Sequence, residues 1–141
     1  MPAYLFKTEP SEFSFQDLVK KKQSCWDGVA NPAALIALRS ICKGDEIFIY
    51  HTGDEKTIVG TAVAAGLPYP DPKRPELTAD GAPKFAVIEL RAGHLAKTPL
   101  SLAQIKSDPR FSDFALVKQS RLSVMPVPPE LTKIITKMLF G

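Results

Sequence analysis

EIFIYHTGDEKTIVGTAVAA, residues 46–65, decides the fold. Two apolar runs rich in β-branched and aromatic residues, 46–51 and 57–65, flank the polar turn TGDEK. Runs of that length around a Gly- and Asp-containing turn read as the two strands of a hairpin. Further strands are expected on either side. YLFK (4–7) is closed by Glu9-Pro10, and KFAVIELR (84–91) and RLSVMPV (121–127) carry the same composition. Helices fill the spaces between. Ser14 can cap a helix over 15–22, with Asp17 three residues on as in a capping box. Asn31 before Pro32 is the favoured order of N-cap and first helical residue, which predicts a helix over 32–41. Short helices are expected over 101–106 and 114–118, and an amphipathic one over 129–139. Strands and helices do not alternate regularly, so a parallel sheet is not expected. The pattern places the chain in the α+β class, as an antiparallel sheet curled into a small open barrel with short helices around it and a C-terminal helix.

The chain has 141 residues, the size of one domain, here taken as 1–141. A domain of that size buries about 68–70% of its unfolded surface and needs no disulfide or metal to fold. Its two cysteines, Cys25 and Cys42, lack zinc-site or disulfide-framework spacing. No apolar run approaches the ~18 residues of a membrane span, and the first ten residues lack the basic and apolar regions of a signal peptide. The expectation is a cytoplasmic monomer without cofactor, metal or membrane contact. Net charge is +3, which permits an anionic partner without demanding one.

Catalytic signatures are missing. There is no G-x-S-x-G elbow, P-loop, H-E-x-x-H or paired-Cys motif, and His51 and His94 are too few and too far apart for an evident metal site. Attention moves to CWDGVANP, residues 25–32, which holds the only tryptophan. Trp26 sits among turn-formers. A ring presented by a turn either fills a core or walls a pocket for another flat ring, and stacking on a base is worth about 1–3 kcal/mol. Asn31 can read a base edge with its amide or spend it as a helix cap. Lys7 ends the first strand, where a cation can meet a phosphate or pair with Glu9. Tyr50 and His51 point to opposite faces of their strand, so one of them faces the pocket. The choice here is His51, joined by Thr52 at the turn. Arg121 and Ser123 share a strand face, and Arg121 can clamp a phosphate or hold a carboxylate. Lys118 adds to that basic run. The loop over 67–83, about 17 residues with YPDP in it, is long for a connector and reads as a lid or as a rigid Pro-rich link.

LFKTEPSEFSFQDL (5–18), WDGVANP (26–32), LRSICKGDEIFIYHTG (38–53), IVGTAV (58–63), YPDP (69–72) and RLSVMPV (121–127) together resemble the EVE domain, a branch of the PUA-like superfamily. The resemblance runs from first strand to last. It implies a PUA-like pseudo-barrel of five to six mostly antiparallel strands. It also implies a non-catalytic reader whose pocket accepts a nucleobase, often a modified one such as 5-methylcytosine or 5-hydroxymethylcytosine, from DNA or RNA. The expected base-binding set is Lys7, Thr8, Trp26, Gly28, Val29, Asn31, His51 and Thr52. Arg121, Ser123 and Lys118 are expected on the nucleic-acid backbone. Ala30 departs from the pattern, since relatives place arginine there and this pocket loses a cation. The alternatives are an RNA-binding module without modification preference, a small-molecule or nucleotide binder, or a protein-interaction domain using the 67–83 loop.

The energies favour weak binding. Flipping a base out of a duplex costs a few kcal/mol, against about 1–3 for one stack and about 0.5–1.5 per hydrogen bond. A methyl adds only about 0.8 kcal/mol, roughly fourfold. Useful affinity must then come from phosphate contacts, with salt dependence, or from a partner protein.

Overall fold

The computed structural model describes residues 2–141. Seven strands form a mixed sheet: β1 (Ala3–Thr8), β2 (Gln23–Trp26), β3 (Glu46–His51), β4 (Thr57–Ala64), β5 (Tyr69–Pro70), β6 (Ala86–Ser101) and β7 (Val124–Val127). The order across the sheet is β2-β6-β4-β3-β1-β7, with β5 paired to β6. The hairpin expected over 46–65 is the β3–β4 pair, antiparallel, with Glu46 opposite Val63. One pairing breaks the antiparallel rule. β1 runs parallel to β3, with Ala3 opposite Glu46 and Thr8 opposite His51. A parallel pair needs a long crossover. Here it contains α1 (Phe15–Lys21), β2 and α2 (Pro32–Arg39).

Helix starts were legible. Ser14 caps α1 in a complete capping box with Asp17, and Asn31 Oδ1 accepts from the N–H groups of Ala33 (2.9 Å) and Ala34 (3.2 Å) at the start of α2. α3 (Leu102–Ser107) is capped by Ser101, and α4 (Ala115–Lys118) and α5 (Pro129–Phe140) follow. Strand ends were less legible. The turn expected at 26–28 is preceded by β2, whose Trp26 pairs with Ile88. Only Ala96 and Leu100 are buried in the second half of β6, and Pro99 interrupts its pattern, so the strand outruns the expected end at 91 by ten residues. Arg121 and Ser123 precede β7 rather than lying in it.

β6 curls because its pairing with β4 shifts twice, on either side of Gly60. Bulges of this kind bend a sheet toward a barrel. Gly60 also makes room. A Cβ there would stand 2.6 Å from the ring of Phe15 and 2.9 Å from the carbonyl oxygen of His94. Phe15 is fully buried and begins α1, so this contact seats the helix on the sheet. Gly60→Ala is therefore expected to cost about 2 kcal/mol by overpacking, read as a lower urea midpoint at unchanged slope.

Candidate functional site

At the ends of β1 and β2 lies an open cleft of about 560 Å³. β1 contributes Lys7 and Thr8, the following turn Glu9, Glu12 and Phe13, α1 Lys21, and β2 with its turn Ser24 to Gly28. The turn after β1 is tightly specified. The N–H groups of Glu12 and Phe13 both donate to the carbonyl of Glu9 at 2.9 Å, and Thr8 Oγ1 donates to the carbonyl of Phe13 at 2.6 Å. That places the Phe13 ring edge-to-face with Trp26, centroids 5.7 Å apart. Phe6 meets the indole from within the core at 5.5 Å. Gly28 takes a φ of +78°, which L residues avoid, and turns the chain away from the indole.

Trp26 thus does both things open to it. It is 8% exposed and packed in the core, and the part left exposed lines the cleft. A ring entering here meets the indole rim and the half-buried Phe13, not an open indole face. Phe13 was missed as a site residue, although FKTEPSEFSF carries it.

The charges in the cleft are mixed. Lys7 and Lys21 face Glu9, Glu12 and Asp27. The Lys21 ammonium stands 5.6 Å from the Phe13 centroid. Hydrogen bonds from Ser11 and Thr52 hold the Glu9 carboxyl below the ordinary range, the Ser11 backbone N–H contributing most. Burial pushes the Cys25 thiol up. Tyr69 holds the rim beside it. Its hydroxyl lies 3.5 Å from Cys25 Sγ and donates to Glu89 Oε2 at 2.7 Å, and these bonds push the phenol well above its usual value. Arg74 stacks on Phe85 at 4.2 Å, pairs with Asp71 and donates to the carbonyl of Val29. The 67–83 loop is thereby tied down as a link rather than left as a free lid.

Of the expected base-binding set, Lys7, Thr8, Trp26 and Gly28 come together here, and the others lie elsewhere. His51 is 2% exposed; its Nε2 accepts the N–H of Phe15 at 2.9 Å, and Nδ1 lies 2.9 Å from Glu55 Oε1. Asn31 spends its carbonyl on the α2 cap. Val29 is buried. Thr52 donates to Glu9 from the far side. On the expected backbone side, Lys118 pairs with Asp113 at 2.9 Å, Arg121 is exposed, and the carbonyl of Ser123 accepts from the Lys7 N–H.

A curled, unclosed sheet with a cleft at the ends of its first two strands defines a PUA-like pseudo-barrel. The EVE domain family profile matches residues 3–138, and the chain belongs to that family. Human thymocyte nuclear protein 1 is 28% identical over 90% of this chain and 69% of its own length. An NMR structure of a protein from Rhodopseudomonas palustris is 39% identical, with a TM-score of 0.87, covering 99% of this chain and 93% of the other. The crystal structure of human THYN1 in complex with DNA containing 5-methylcytosine is 26% identical, with a TM-score of 0.89 over 100% of this chain and 99% of that one.

Proposed function

We propose that this EVE domain is a non-catalytic nucleic-acid reader that admits one base, of the modified-cytosine class, into the Lys7–Gly28 cleft. The observation that carries the reading is the cleft itself, walled by Trp26 and Phe13 and rimmed by Glu9, Glu12 and Asp27. Cytosine presents an amino group, a donor that carboxylates accept, whereas thymine and uracil present a carbonyl there. The THYN1 complex with 5-methylcytosine DNA supports the same class of ligand. A reader is favoured over an enzyme by the groups on hand. The raised Cys25 thiol is a poor nucleophile, and the Glu9 carboxylate is occupied by Ser11 and Thr52.

Trp26 is the only tryptophan, so its fluorescence reports the cleft alone. Single-stranded oligonucleotides carrying one 5-methylcytosine are expected to quench it and to bind about fourfold more tightly than the unmodified strand, the value of one buried methyl. Absence of quenching by either strand at high micromolar concentration overturns the reading. Equal affinity for both strands, falling steeply with salt, points instead to a module without modification preference.

A further inference from the structure

Tyr50 and His51 do face opposite ways, but it is Tyr50 that looks into a cavity. This second space, about 300 Å³, lies across β1 from the base cleft and shares Lys7 with it. Lys56 and Lys106 complete its cationic lining, and no carboxylate lines it. Lys118 nearby is paired with Asp113, but among the described residues Lys7, Lys56 and Lys106 enter no ion pair. Lys7 Nζ donates to the carbonyl of Ser120 at 2.9 Å and stands 5.8 Å from the Tyr50 centroid, which holds it at the cavity wall. Lys56 is held in a left-handed conformation, φ +45°, and its carbonyl accepts the N–H of Leu102 at 2.8 Å. That bond brings the β3–β4 turn against α3, the helix that carries Lys106.

Tyr50 supplies the second, independent sign. The residue is 4% exposed, and among the described residues nothing hydrogen-bonds its hydroxyl. No fully buried side-chain oxygen is left unpartnered, so this hydroxyl reaches open space, in the cavity that Tyr50 lines. Burial pushes the phenol up, so it keeps its proton and can only gain by donating. A buried donor lacking an acceptor, beside three uncompensated ammonium groups, calls for an anion with several acceptor oxygens.

We propose that this cavity is an anion site for a phosphate group, bound by the ammonium groups of Lys7, Lys56 and Lys106 and by the Tyr50 hydroxyl. Its small volume suits one phosphate rather than a larger ligand. Two sources share that chemistry: a phosphodiester of the strand whose base occupies the neighbouring cleft, or a free phosphate. The first source rests on the reader function proposed above; the site itself does not.

The test follows the amide and Tyr50 ring resonances of the whole domain by NMR during titration with inorganic phosphate at constant ionic strength. Saturable shifts at Tyr50, Lys56 and Lys106, with Trp26 unmoved, are expected. Tyr50→Phe should weaken the phosphate about tenfold, and Lys56→Ala/Lys106→Ala should abolish the shifts with the rest of the spectrum intact. No saturable shift at tens of millimolar phosphate, or shifts that persist in the double variant, overturns the site. Single-stranded oligonucleotide binding then identifies the source. If the strand supplies the phosphate, the double variant lowers the slope of log K against log salt by about 1.4, from about 0.7 per lost contact. An unchanged slope overturns the strand as the source. A wild-type domain that binds phosphate but no oligonucleotide overturns the reader function and leaves the anion site standing.

Discussion

Trp26→Ala will unfold or nearly unfold the domain, with a loss of about 3–5 kcal/mol in urea denaturation, the range for deleting a large buried aromatic. The indole is 8% exposed and carries edge-to-face contacts with both Phe6 and Phe13. Such pairs add about 0.5–1.5 kcal/mol each to the burial. The loss is large beside a typical total stability of about 5–15 kcal/mol. A failure of this variant to bind oligonucleotide would then say nothing about stacking. Phe13→Ala separates the roles. Phe13 is half-buried and closes the cleft from the turn, so its loss should weaken base binding roughly tenfold and cost markedly less stability than the loss of Trp26. If Trp26→Ala retains the wild-type urea midpoint, the indole is a wall and not a core residue.

His51→Ala is expected to cost about 3 kcal/mol while leaving oligonucleotide affinity unchanged at temperatures where the variant is folded. Two losses combine. The Phe15 N–H, the first helical donor of α1, is left buried without an acceptor, worth about 1–3 kcal/mol. The rest is packing lost around a ring that is 2% exposed. Nε2 must be the accepting nitrogen because a backbone N–H can only donate, so the ring proton sits on Nδ1, facing Glu55. Glutamine is the better test of geometry, since an amide oxygen can replace Nε2 and restore part of the stability. Loss of base affinity in a folded His51→Gln variant would return the histidine to the ligand site.

Both cases show why some residues were legible and others were not. The helix caps follow from local bonding over three or four residues, and Ser14, Asp17 and Asn31 do in the structure what their spacing predicts. The hairpin over 46–65 follows from a local pattern too. The Lys7, Thr8, Trp26 and Gly28 part of the cleft was reachable because the motifs that carry these residues are contiguous. His51 was misplaced because its partner, Phe15, lies 36 residues away and no local rule joins them. Tyr50 was passed over for the same reason. Alternation along β3 shows that the two side chains diverge, but not which of the two faces opens on a cavity.

The amino-acid sequence by itself determined the α+β class, the helix starts, the central hairpin and the family, because each rests on short-range bonding or contiguous motifs. The tertiary structure alone decided the parallel pairing of β1 with β3, the full length of β6 and the burial of Trp26 between Phe6 and Phe13. It also decided that the lysines at 7, 56 and 106 line one space. These depend on which distant segments meet, and that is set by the curl of the sheet around Gly60 and Phe15 rather than by any neighbouring residue.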